Sequence, residues 1–222
     1  MTQMQTFFVR AKKPGSLWLR SAIVCLVLLV VAYYGIDRPV AILAHEHTRG
    51  IVYFTWLSHL PEPLLPLACL ALVAMAGWRA AGIRRNRTGS VVLRCSLSLV
   101  SAHAIKDQLK FAFGRMWPET WTSNNPSFFG DGVYGFVPFH GGAGFASFPS
   151  GHATATFAVL SVLWMMWPAY RWLYALLASL VVIGLLGTDF HWVSDIIAGA
   201  FLGAAAGVTA ATIGTRGALS RR

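Results

Sequence analysis

The sequence predicts an all-α fold, a polytopic membrane helical bundle of about six transmembrane helices. Three observations carry this. Of the 222 residues 56% are hydrophobic and only 12% are charged, whereas soluble domains carry about 25% charged residues. Mean hydropathy is +0.58. A bilayer core needs about 20 apolar residues per spanning helix, and six apolar runs near that length are separated by charged or turn-forming segments. The chain therefore reads as a single integral-membrane domain over residues 1–222, and a water-soluble globular domain is excluded.

The first run, residues 17–36, follows a basic leader. A cleaved signal peptide has the same order of parts, but this run reaches span length and Tyr33-Tyr34-Gly35 offers no small-residue cleavage site. A retained anchor is expected. Residues 40–60 are apolar but interrupted by His45, Glu46, His47, Arg49 and His59, which predicts a helix lying at the interface. His45-Glu46-His47 lacks the i, i+4 spacing of a zinc-binding H-E-x-x-H helix and is read as interfacial polarity.

Runs 64–81 and 90–113 supply the second and third spans. The connection 114–150, rich in Gly, Pro, Asn, Ser and aromatic residues, is longer than loops in compact domains usually are, which marks it as functional or disordered. Runs 153–167, 172–188 and 193–213 complete the six. In the last, Gly199, Gly203 and Gly207 recur every fourth residue and let a neighbouring helix approach closely, within the bundle or across a dimer. Cys25, Cys69 and Cys95 fall inside the runs, where a free cysteine is a small hydrophobe, and predict no disulfide framework.

The formal charge of +10 is tested first against topology. Counting connections from the N-terminus puts Arg10, Lys12, Lys13, Arg20, Arg79, Arg84, Arg85, Arg87, Arg171, Arg216, Arg221 and Arg222 on one side, twelve of eighteen basic residues. That side is expected to be cytoplasmic, with both termini. Dispersed in this way, the charge does not describe a nucleic-acid surface. All eight acids, Asp37, Glu46, Glu62, Asp107, Glu119, Asp131, Asp189 and Asp195, fall on or near the opposite, periplasmic or outer face of a bacterial-type inner (plasma) membrane.

Three polar clusters lie at helix ends on that opposite face. Lys106, Lys110 and Arg115 close the third span, Pro149-Ser150-Gly151-His152 opens the fourth, and His191 and Asp195 join the fifth to the sixth. Two spans and a turn separate His152 from His191, so the chain returns to the same face and the clusters can converge. His191 and Asp195 stand four apart; on a helix the carboxylate reaches the ring and leaves the other nitrogen free as nucleophile or base. The same pair also fits a helix cap. Gly151 permits close backbone approach, and the Ser150 hydroxyl with exposed N–H groups suits an anion, although Ser and Pro also begin ordinary helices. Lys110 and Arg115 add cations for phosphate, or are snorkelling interfacial side chains. Together these groups describe a phosphoryl-transfer site with no metal ligand set and no cofactor.

These residues resemble the type 2 phosphatidic acid phosphatase superfamily, membrane lipid phosphatases related to bacterial acid phosphatases and vanadium haloperoxidases. The family pattern is K-x6-R-P, P-S-G-H and S-R-x5-H-x3-D. Pro149-Ser150-Gly151-His152 matches the second block in full, His191 and Asp195 match the end of the third, and Lys110 and Pro118 align with the first. Trp117 and Leu185 stand where the family has arginines, and Gly184 where it has Ser; Phe113-Gly114-Arg115 looks like the G-R-x-R-P form with its second Arg replaced. The resemblance implies attack by His191 to form a phosphohistidine, orientation of that ring by Asp195, and proton transfer by His152. It implies phosphate contacts from Lys110, Arg115, Ser150 and Gly151, with Asn124, Asn125 and His140 as candidates for compensating contacts. A metal-independent lipid phosphate phosphatase is expected, with membrane lipids as neighbours and phosphatidic acid, phosphatidylglycerophosphate, polyprenyl pyrophosphate or lipid A phosphates as substrate. A phosphotransferase of the same fold and a non-catalytic binder of anionic lipids are the alternatives.

Overall fold

A computed structural model describes residues 14–121 and 124–213, and among these there are helices, turns and three isolated bridges but no strand. The basic residues Arg10, Lys12, Lys13, Arg216, Arg221 and Arg222, expected to mark the cytoplasmic side, lie outside the described residues.

Helix α1 (Pro14–Val31) passes through a π-helical turn (Ala32–Ile36) into α2 (Asp37–His47). Helices α3 (Val52–His59) and α4 (Leu64–Ala80) follow, then the 27-residue α5 (Arg87–Phe113), whose first turn is capped by Asn86 accepting from the Gly89 N–H. The short α6 (Phe128–Asp131) sits in the long connection, and α7 (Gly151–Met166), α8 (Arg171–Gly187) and α9 (Val193–Thr212) close the chain. By length and composition five runs can cross a membrane: Gly15–His47, Val52–Ala80, Arg87–Phe113, Pro168–Gly187 and Val193–Thr212; α7 is a shorter apolar helix of 16 residues. Leu19, Ile23, Leu26 and Val27 on α1, with Leu67, Leu70 and Val73 on α4, are exposed. Such outward apolar side chains are stable against lipid, where only helices with internally satisfied backbones survive.

The expected interfacial helix over 40–60 is not there. The segment is divided between the end of the first helical run and the start of the second, with the turn at Gly50 held at φ +79 between them. His45 and Thr48 turn inward to protein partners in place of headgroups, while Glu46, His47 and Arg49 stay exposed. Thr48 donates to the Gly187 carbonyl and His45 Nδ1 lies 3.1 Å from Asp189. Helix α3 then packs on α8 at Gly184 and Gly187, where an added Cβ would stand 2.4 Å from the Ser58 nitrogen and 2.3 Å from the Phe54 ring.

The glycine stripe of α9 packs inside the bundle. A Cβ on Gly199 would meet the Ser150 carbonyl at 2.4 Å, and one on Gly203 the Thr154 carbonyl at 2.3 Å, so α7 and α9 approach backbone to backbone. This contact sets the site, because the starts of α7 and α9 carry its histidines. Gly203→Leu is expected to destabilise the protein by about 3 kcal/mol or more, since overpacking a filled interface forces backbone shifts. Thermal unfolding in detergent measures this, and an unchanged melting temperature would contradict the close approach.

Candidate active site

Helix α7 is capped by Ser150, whose side chain accepts from the Ala153 N–H. Its own backbone N–H donates to the Asp195 carbonyl at 3.0 Å. One main-chain bond thus ties the residue before Gly151-His152 to the first turn of α9. Asp195 Oδ2 accepts from the Trp192 N–H at 3.1 Å and lies 3.4 Å from His191 Nδ1. Capping and ring orientation, alternatives in the sequence, are both present, because one carboxylate oxygen reaches both donors. His191 is buried; burial pulls its pKa down against the opposing pull of Asp195, so the neutral ring is favoured.

Lys110 Nζ donates to the Ala146 carbonyl and sits 5.5 Å from the Trp117 ring centre, and that ring lies 5.0 Å from the His191 ring. Lys106 Nζ lies 2.7 Å from Asp107 and 2.9 Å from His103, and a Cβ on Gly151 would be 3.7 Å from it. His152 Nε2 is 3.7 Å from Glu62 and its ring is 5.9 Å from that of His59, while His191, Lys110 and Lys106 act on it electrostatically. The structure therefore brings Lys106, Lys110, Ser150, Gly151, His152, His191 and Asp195 to one end of the bundle.

Arg115 takes a different place from the phosphate contact expected of it. Its side chain is wholly buried, with Nη1 donating to Asp195 Oδ1 and Ser194 and Nη2 donating to Asp37 at 2.7 Å. Burial acts to lower its pKa, but Asp195 and Asp37 outweigh that and hold it above the ordinary value. With both terminal nitrogens engaged, the guanidinium braces Asp195, and only its buried Nε is left without a hydrogen-bond partner. Ser147 donates to Asp195 Oδ2 at 2.6 Å, and the Ser194 N–H donates to Asp37 Oδ1 at 2.9 Å. Tyr134 donates to the Tyr33 carbonyl beside them, and burial raises its pKa.

Asp37 and Ser147 were missed in the sequence. Asp37 follows a π-helical turn, a local irregularity frequent at functional sites, and an ionisable residue at the end of an apolar run was the signal available. The three loop residues expected to compensate for the absent arginines do other things. Asn125 bonds the Trp121 N–H and the Glu119 and Pro126 carbonyls, Asn124 takes a turn position at φ +55, and exposed His140 packs on Phe145. Of the two family arginine positions, Leu185 is buried against Ala153, Val181 and Ile196, and Trp117 is buried with its indole N–H donating to the Ala143 carbonyl.

A second polar group adjoins the site. Asp189, two residues before His191, meets His45 and, through it, Glu119; burial pushes the Asp189 carboxyl up to about 6. These three are the trio of His and carboxylate side chains whose ligand atoms come within metal-binding reach of one another among the described residues.

Residues 91–217 match the PAP2 superfamily. A lipid A 1-phosphatase of Rhizobium johnstonii is 32% identical over 193 residues, spanning 83% of this chain and 73% of that protein. A lipid A 1-phosphatase of Rhizobium etli is 33% identical over 108 residues, 48% of this chain and 43% of that protein. The crystal structure of a transmembrane PAP2 type phosphatidylglycerolphosphate phosphatase from Bacillus subtilis has the same fold, with a TM-score of 0.58 and 22% identity over 89% of this chain and 94% of that one.

Proposed function

The chain belongs to the PAP2 superfamily of membrane phosphatases, and from that premise we propose that it removes phosphate from a lipid A-type phosphate monoester through a phosphohistidine on His191. The observation that carries the mechanism is the buried neutral His191 oriented by Asp195. With Asp195 accepting from Nδ1, the Nε2 lone pair attacks phosphorus and the P–O bond to the lipid breaks. His152, which takes up a proton as the anionic substrate docks beside it, gives that proton to the leaving oxygen, then takes one from the water that cleaves the P–N bond and frees inorganic phosphate. The negative charge on the transferring group is met by Lys110, Lys106 and the Gly151 N–H at the start of α7. The similarity to two lipid A 1-phosphatases supports the choice of lipid. Trp117, flat and apolar beside His191 where the family pattern has an arginine, suits a bulky amphiphile.

The site faces the periplasmic or outer side in this reading. Arg79, Arg84, Arg85, Arg87 and Arg171 gather at the other end of the helices, as cytoplasmic loops do.

The test is phosphate release by the purified protein in detergent from lipid A 1-phosphate, phosphatidylglycerophosphate, phosphatidic acid and polyprenyl pyrophosphate, with and without chelator. Release is expected to be fastest from lipid A and to continue in chelator, because the histidine route needs no metal in the step. Release from none of the four would discard the proposal. Lys110→Met is expected to lower kcat/KM by about 10²-fold, the size of losing one charge-stabilising donor. A value within two-fold of wild type would remove Lys110 from the site.

A further inference from the structure

We propose that His45, Glu119 and Asp189 form a divalent-cation site, of the zinc or manganese class, that pins the long loop and the His191 turn to the end of the first helical run. The ligand atoms all lie within 4.8 Å of one another. His45 Nδ1 is 3.1 Å from Asp189 Oδ2 and 3.2 Å from Glu119 Oε2. Ligand atoms about 2.1 Å from a shared ion stand roughly 3 to 3.5 Å apart in octahedral or tetrahedral geometry, so both contacts of His45 with the carboxylates are already at coordination spacing. One imidazole nitrogen and two carboxylate oxygens suit a borderline first-row ion better than calcium.

The surroundings hold each ligand in place. The His45 ring stacks on Phe129 at 3.8 Å between centres. Glu119 Oε1 accepts from the Thr120 N–H at 2.8 Å, which leaves Oε2 directed at the trio, and that oxygen is buried with no hydrogen bond. Asp189 is 1% exposed. One buried and one partly buried carboxylate converging on the same ring nitrogen call for a positive charge between them. Arg49 partly supplies it: its Nε lies 3.2 Å from Glu119 Oε2 and Nη1 lies 3.3 Å from His45 Nε2. Its side chain is 54% exposed, so it swings into solvent at little cost when an ion enters.

The ligands come from three segments far apart in sequence, the end of α2, the loop after Trp117 and the turn before α9. A cation bridging them cross-links the scaffold of the site without contributing an atom to the proposed histidine route. The inference stands whether or not that route is right.

Tag-free full-length protein, stripped with chelator in detergent and then dialysed, is titrated with Mn²⁺ and Zn²⁺ by calorimetry, and its melting is followed alongside. One equivalent is expected to bind and to raise the melting temperature. Glu119→Gln is expected to weaken binding at least about ten-fold, and Arg49→Gln, which removes the competing cation from an exposed position, to strengthen it by up to about five-fold. His191→Ala is expected to bind as wild type does. No saturable binding by the wild-type protein, unchanged affinity in Glu119→Gln, or unchanged or weaker affinity in Arg49→Gln overturns the proposal.

Discussion

His191→Ala is expected to lower phosphate release by at least about 10⁴-fold while the melting temperature stays close to that of the wild type. Removing a nucleophile from a covalent mechanism typically costs this much, because what remains is binding and charge stabilisation alone. The fold does not depend on the ring to the same degree. Its bond to Asp195 is long, at 3.4 Å, and Asp195 keeps Arg115, Ser147 and the Trp192 N–H as partners when the ring is gone. His152→Ala should behave differently, slowing both halves of the reaction and prolonging the life of any phosphoenzyme, which rapid quenching with labelled substrate detects. Attack requires the neutral ring, and burial lowers the His191 pKa below the usual histidine value. The acid limb of kcat/KM should therefore fall only as pH drops below about 6.5. Near-wild-type turnover by His191→Ala would reassign the nucleophile.

Arg115→Met is expected to destabilise the protein by about 3 to 5 kcal/mol, the usual consequence of removing one partner from a buried ion pair. Here the effect is compounded. Arg115 links Asp37 at the start of α2 to Asp195 in the first turn of α9, and both carboxylates are buried. Two negative charges would then face each other across Ser194, which bonds both Arg115 and Asp37. Arg115→Lys keeps the charge but loses the fork that reaches both carboxylates, and should recover only part of the loss. The competing expectation, that Arg115 grips the substrate, predicts a raised KM at unchanged stability. Thermal unfolding beside a KM against kcat comparison separates the two, and a stable Arg115→Met with raised KM would overturn the brace.

Much of the site could be read along the chain because its parts are local. Pro149-Ser150-Gly151-His152 is a helix start, and His191 and Asp195, four apart, flank the start of α9, so residue type and spacing suffice to mark them. In the sequence Asp37 is one of eight acids on the non-cytoplasmic face, and nothing nearby shows that it faces Arg115, whose Nη2 lies 2.7 Å away across 78 positions. The interfacial reading of residues 40–60 failed for a related reason. His45 looks like a headgroup contact until its partner Asp189, 144 residues away, is in place. Asn125 shows the reverse error, a polar loop residue that looked available and is occupied by its own loop's backbone.

The sequence by itself determined that this is an all-helical, multi-pass membrane protein and which histidines, lysine and carboxylate gather at one end of it. Hydropathy, helical periodicity and capping act over one to a few turns, and their signals survive in one dimension. Only the tertiary structure decided which charges neutralise which. In a medium without water every buried ion must find its partner inside the protein, and the partner is chosen by how closely the helices pack. The approach of α7 to α9 over Gly199 and Gly203 sets Ser150 against Asp195. That placement, together with Asp37 at the π-helical turn, engages Arg115 in bracing the site and leaves Lys110 and Lys106 beside the proposed phosphate position.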